Sequence, residues 1–253
     1  MLFRALQTPR RKTSEAEPGA FRLRLSGEEV VVELRRNPRA RRYTLRVRAA
    51  SRDVVLTLPA RGTLAEARDF AHRHAGWVEA RLARLPARVV FMPGAVFPLR
   101  GVPHRIVHRP QMRGTVWTDV TEGDAALFVA GEAAHVARRV TDFLKREARR
   151  DLVEAAQRHA GALGVTLARV TLRDTASRWG SCSSTGALSF SWRLILAPPF
   201  VLDYLAAHEV AHRREMNHGP HFWATVDRLF AERRTAELWL KTHGAGLHRY
   251  GGA

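Results

Sequence analysis

The sequence predicts an α+β protein, and three observations carry that expectation. From Phe21 to Leu58, and again in pieces between Ala95 and Val129, apolar and polar residues alternate with the period of a β-strand. After Gly131 the apolar spacing changes to the threes and fours of a helix. A pair of histidines four residues apart then falls on a further helix, opened by Pro198-Pro199. The expected organisation is a tail over 1–20, a β-rich N-terminal domain over 21–130, and a second domain over 131–253.

Residues 1–20 mix Arg, Lys, Thr, Ser, Glu, Pro and Gly without periodicity, the composition of a flexible tail. Four alternating sets follow: Phe21, Leu23 and Leu25; Val30, Val32 and Leu34; Tyr43, Leu45 and Val47; Val54, Leu56 and Leu58. The breaks at Ser26-Gly27, Asn37-Pro38 and Ser51-Arg52-Asp53 predict antiparallel strands joined as hairpins. Thr63, with Glu66 three residues on, predicts a capping box and one helix through Phe70, Trp77, Val78 and Leu82, ending before Pro86. Strand-like pieces recur at Ala95 to Leu99, His104 to His108 and Ala126 to Val129, and no internal repeat stands out.

In the second domain, Val136, Val140, Phe143, Leu144, Leu152 and Ala155 mark a long basic helix from Glu132 to His159, with Gly161 and Gly164 beyond its end. Val165 to Leu172 and Ala187 to Leu196 alternate as strands. They are joined through Arg178 to Gly186, where Ser183-Ser184-Thr185-Gly186 is a turn signal.

A chain of 253 residues with 45% hydrophobic and 26% charged residues is neither disordered nor collagen-like. No apolar run reaches membrane-spanning length, so no membrane partner is expected, and the N-terminal apolar segment is too short for a signal peptide. A single cysteine, Cys182, rules out an internal disulfide and a cysteine-only zinc site. The expectation is a soluble cytoplasmic protein. The net charge is +18, carried by 39 Arg and only 3 Lys. Arg35, Arg36, Arg39, Arg41, Arg42, Arg46 and Arg48 form the densest cluster, with no acidic residue among them. That cluster points to contact with nucleic acid or another polyanion.

The chemistry is concentrated at His208-Glu209-Val210-Ala211-His212. Histidines at i and i+4 share a helix face, so both imidazoles can reach one metal ion, and the adjacent Glu209 can direct its carboxylate at a metal-bound water. Val201 and Leu205 place the pair on an apolar stripe. A third ligand follows within six residues: His218, in Asn217-His218-Gly219-Pro220, where turn residues can fold the chain back over the ion. His221 is the local rival. The expected site is one Zn2+ per chain on His208, His212 and His218, with Glu209 as the catalytic general base and acid.

Several segments in fixed order resemble the YgjP-like metallopeptidase family, a relative of the SprT-like zinc peptidases. They are Arg178-Trp179-Gly180-Ser181-Cys182-Ser183, Leu188 to Leu194, His208 to His212, Asn217-His218 and Phe222-Trp223. Arg39 to Arg42, Leu45 to Val47 and Leu56 to Pro59 extend the resemblance toward the N-terminus. It implies a minimal zincin: a backing helix over 132–160, a small antiparallel sheet, a zinc-binding helix, a C-terminal helix, and His218 as third ligand. It also implies that the strand Ala187 to Leu196 forms one lip of the cleft and pairs with an extended peptide or protein substrate.

Weaker assignments accompany these. Trp179 and Trp192 read as packing residues ahead of substrate platforms, Arg178 as a structural ion pair ahead of a holder of a substrate carboxylate or phosphate, and Cys182 as a buried small residue; Ser189 and Ser191 sit on a strand face or at the cleft. His221, His248 and Tyr250 are the candidates for an oxyanion stabiliser, and Asp227 or Glu232 for orienting a zinc histidine. Two alternatives to a plain zinc peptidase are a metal-dependent nucleotide pyrophosphohydrolase and a SprT-like protease recruited to nucleic acid, using residues 35–48 and 132–160.

Overall fold

The computed structural model describes residues 19–48, 52–85, 87–121, 123–175 and 178–251, so nearly all of the expected tail lies outside the described residues. The chain is mixed α+β. It divides into two compact units, one running to Arg84 and one starting at Leu85.

The first unit contains β1 (Ala20–Arg24), β2 (Glu29–Arg36), β3 (Thr44–Val47) and β4 (Val54–Leu58), then α1 (Leu64–Arg73) and α2 (Ala75–Ala83). The expected hairpins form, β1 with β2 and β3 with β4, but they join through a parallel β2–β4 pair. Each of those is the second strand of its hairpin, so the two run the same way. Leu23, Val32, Leu56, Ala67, Ala71 and Val78 close this unit's core. The Thr63–Glu66 capping box is present, with Thr63 Oγ1 accepting from the Glu66 amide at 3.2 Å. The expected single helix breaks at His74, whose φ/ψ of −107°/13° is not helical and whose ring Nδ1 lies 2.8 Å from the Phe70 carbonyl. In the arginine cluster, Arg35 and Arg48 pair with Glu33, and Arg36 donates to the carbonyls of Pro59, Ala60 and Gly62. Those three guanidinium groups serve the unit itself.

The second unit opens with β5 (Val96–Leu99), β6 (Val102–Arg109), β7 (Val116–Thr121) and β8 (Asp124–Ala130). Its order, β5-β6-β8-β7 with β6 and β8 parallel, repeats the connectivity of β1 to β4. The sequence hides this repeat because the two sheets share alternation and not residues. Helix α3 (Val136–Leu163) buries Val140, Leu144, Ala148, Leu152 and Ala156 at helical spacing, and ends at Gly164, whose φ of 67° needs a residue without Cβ strain. Leu127 and Val129 of β8 share one core with Val136 and Val140 of α3. The division between units therefore falls at 84/85, and not at the 130/131 step in sequence character.

A third sheet holds β9 (Arg169–Arg173), β10 (Gly180–Cys182) and β11 (Ala187–Ser191) in the order β10-β11-β9. It is mixed and not antiparallel as expected, because β9 and β11 run parallel. The expected strand to Leu196 stops at Ser191, and Trp192–Leu196 forms a 3₁₀ turn. Three helices follow: α4 (Pro199–Ala211), α5 (Pro220–Leu229) and α6 (Arg233–Leu247). Among the described residues no helix is long and apolar enough to cross a membrane.

Helix α4 is apolar on nearly every face, with Val201, Leu202, Leu205, Ala206, Ala207, Val210 and Ala211 all buried. A helix of that kind must be packed all round. Its Asp203 accepts from His159 of α3 at 2.6 Å and from Arg158 at 2.9 Å, and His159 is 3% exposed. Burial by itself would raise the Asp203 carboxyl, but these hydrogen bonds outweigh it and hold the group below the usual carboxylate value. A depressed carboxyl stabilises the fold above the unfolded-state value and loses that contribution as pH falls through the folded one. Asp203→Asn is expected to lower stability by about 1–3 kcal/mol at pH 7 in urea denaturation. The gap from wild type is expected to narrow below about pH 4.

Candidate metal centre

His208 and His212 project from the last turn and the C-cap of α4, one helical turn apart. After α4 the chain turns through Asn217 and Gly219, and Pro220 opens α5, so His218 returns to the same point. One ligand nitrogen from each of the three histidines lies within 4.8 Å of the others, and the Nε2 atoms of His208 and His218 are 3.1 Å apart. Two nitrogens on one tetrahedral zinc ion would stand about 3.3 Å apart. Among the described residues, this is the one group of three or more metal-ligating side chains at such spacing. His221 is exposed on α5 and outside the group.

The far sides of the rings support the same orientation. His212 Nδ1 donates to the Glu215 carbonyl at 3.0 Å, which leaves its Nε2 lone pair free. Tyr204, one turn before His208, gives its hydroxyl hydrogen to Glu237 at 3.0 Å. Its oxygen is thus left to accept from His208 Nδ1, at 3.4 Å. Burial, and then Glu237, raise the Tyr204 hydroxyl above its usual value and keep it a donor. Burial foremost, with His212 and His218 nearby, pushes His208 down to about 4, so its imidazole is neutral. Neutral imidazoles with fixed tautomers are the form that binds a divalent metal. Phe222 packs against all three rings at 4.5–4.9 Å, and Trp223 flanks His208 and His218 beneath Arg233.

Glu209 is 5% exposed and lines the same cleft as the histidines, together with Gly180, Ser181, Cys182 and Met216. Burial pushes its carboxyl up to about 7, against the opposing charge of Arg178. Gly180 makes room for it: a Cβ at that position would overlap the Glu209 carboxylate.

The structure relocates several expected roles. Asp227 pairs with Arg233 at 2.6 Å and does not touch a histidine, and Glu232 occupies the N-cap position of α6 without a side-chain cap bond; the carboxylate that reaches His208, through Tyr204, is Glu237. None of His221, His248 and Tyr250 lines the cleft. His248 stacks on Trp179 at 4.8 Å and is pushed down to about 4 by burial and by Arg193. The Tyr250 carbonyl accepts from buried Arg193, which also holds Asp174 in a two-point pair. Arg178 makes no ion pair with a described carboxylate. Cys182 is half-buried at the cleft, its Sγ 3.3 Å from the Ser183 carbonyl, and burial raises its thiol. Strand β11 lies between β9 and β10 and has no open edge, so it cannot receive a substrate strand. Among the described residues, the open edge of this sheet beside the histidines is β10.

A family model described as YgjP-like, metallopeptidase domain, matches residues 41–243. The chain belongs to that family. The match starts in the first compact unit, covers α4 with its histidine pair, and includes His218. The crystal structure of the metallopeptidase zymogen of Pyrococcus abyssi abylysin aligns at 18% identity with a TM-score of 0.33, covering 37% of this chain and 92% of that one. A comparison with curated proteins returns no match.

Tyr204→Phe, and separately Glu237→Gln, are expected to weaken metal binding by about 10- to 100-fold in chelator competition. Asp227→Asn, which reaches Glu237 only through Arg233, is expected to change it far less.

Proposed function

We propose that the chain is a zinc-dependent peptidase in which His208, His212 and His218 hold the metal and Glu209 moves the proton. The observation that carries this reading is a buried carboxylate in one cleft with three imidazole nitrogens, two of them, on His208 and His212, belonging to rings whose far sides are tied back. Three histidines without cysteine suit a catalytic zinc, which keeps a position open, better than a closed structural one. Zinc at that point would lower the pKa of a coordinated water toward about 7 and polarise a peptide carbonyl. Glu209 would accept a proton from the attacking water through one carboxylate oxygen and pass it to the leaving amine, the task of a carboxylate positioned in the same cleft. We read α3, the β9–β11 sheet, α4 and the helices after it as the parts of a minimal zincin.

The edge of β10 supplies a place for substrate. Ser191 donates to the Trp179 carbonyl and Ser183 to the Ala187 carbonyl. By the alternation of an antiparallel ladder, Ser181 also faces β11, while Gly180 and Cys182 turn their N–H and C=O groups outward. An extended peptide can add to that edge across the cleft. Buried Phe222 backs the three rings and half-exposed Met216 lines the cleft, which gives a substrate side chain an apolar contact.

The test uses zinc-loaded wild type and Glu209→Gln on a proteome-derived peptide mixture, read by mass spectrometry. New termini are expected with wild type alone, and their loss on chelation is expected to reverse with added zinc. Glu209→Gln is expected to keep its metal and lose about 10²–10⁴-fold in kcat. A variant with more than about a tenth of wild-type kcat contradicts the role. Cleavage of nucleoside triphosphates with intact peptides would favour the phosphohydrolase alternative.

A further inference from the structure

The outer face of the β9–β11 sheet carries a groove that the proposed chemistry does not use. Its volume is about 460 Å³, and it shares Ser181 and Cys182 with the metal cleft. Alternation along β9 puts Arg169, Thr171 and Arg173 on this face, while Leu188 and Phe190 of β11 turn into the core. The register aligns Thr171 with Ser189 and Ser189 with Ser181, so three hydroxyls cross the sheet in one row. The row ends on β10, beside the metal cleft. Arg169 and Arg173 flank it on one side and Arg178 on the other, and no carboxylate lines the groove. None of these three arginines forms an ion pair with a described carboxylate, although Asp174, next to Arg173, is taken up by Arg193. The Ser181 and Ser189 hydroxyls have no partner among the described residues, and Thr171 Oγ1 donates to the Leu188 carbonyl at 3.1 Å.

Three unpaired guanidinium groups over a row of hydroxyl donors form a site for anions. The spacing narrows the class. Residues four apart on a strand stand about 13 Å apart, and adjacent strands about 4.8 Å. That spread fits several carboxylates carried along a peptide better than one phosphate. A nucleotide base would find no aromatic ring among the lining residues. The groove leaves the cleft at Ser181 and Cys182, where the proposed substrate strand adds to β10.

We propose that this groove binds acidic side chains of a peptide substrate on one side of the scissile bond, making the site selective for acidic sequences. The proposal rests on the peptidase reading for its catalytic consequence, though not for binding.

The test compares two internally quenched peptides, one with Asp and Glu within about three residues of the cut and one with Asn and Gln in their place. With zinc-loaded, full-length wild type, kcat/KM is expected to favour the acidic peptide about tenfold, and less in high salt. The ratio is expected to fall toward one in Arg169→Gln/Arg173→Gln. In Arg169→Glu/Arg173→Glu it is expected to reverse toward a Lys-bearing peptide, which a mere loss of folding would not produce. Equal cleavage of both peptides by wild type overturns the proposal and leaves the peptidase reading standing. If neither is cleaved, the peptidase reading fails, and fluorescence anisotropy of the same peptides on zinc-loaded Glu209→Gln decides the groove. Preferential binding of the acidic peptide, lost in the Arg169→Gln/Arg173→Gln background, supports it; equal or absent binding overturns it. Binding of ATP without binding of the acidic peptide assigns the groove to phosphate and also overturns the proposal.

Discussion

Helix α4 is buried on almost all sides, and each polar group it carries must therefore find a partner or be costly. That constraint explains much of the second unit. Asp203 takes His159 and Arg158 from α3; Tyr204 takes Glu237 from α6. His212 takes the Glu215 carbonyl just past the helix end. What remains is two neutral imidazole lone pairs and one carboxylate, all facing one cleft. His218 brings a third nitrogen to the same point. The unmet acceptors of a buried helix thus become a candidate metal site, with the packing that buries them also fixing their direction.

The partners reach α4 from elements far away in sequence, which sets how much of the site could be read from the chain. His208, Glu209 and His212 are legible because helix periodicity alone places them, and His218 because turn residues surround it. Tyr204 carries a local signal too, standing one turn before His208 on the same face. Glu237 carries none: only the packing of α6 against α4 brings it near, and the nearer acidic residue, Asp227, goes to Arg233 instead. Gly180 matters through an absent side chain, and its requirement appears only once Glu209 is seen against β10.

The fold divides in the same way. Alternation and turn residues reveal the hairpins, and helical spacing reveals α3. Neither contains information on how two hairpins join, so the parallel β2–β4 and β6–β8 pairs, and the repeated connectivity they create, emerge only in three dimensions. The unit boundary shifted because apolar residues of β8 and α3 share a core that a change of periodicity cannot register. Strand β10, three residues long, is too short for any periodic signal, yet it is the edge proposed to receive a substrate strand.

The most direct measurement is an X-ray absorption spectrum at the zinc edge of the zinc-loaded full-length chain, taken for wild type and for His218→Ala. Three imidazole nitrogens at about 2.0–2.1 Å, with one or two further oxygen scatterers, are expected for wild type. One imidazole is expected to be lost in the variant. A sulfur scatterer at about 2.3 Å, which would bring Cys182 into the coordination shell, or four imidazoles, would contradict an open three-histidine site.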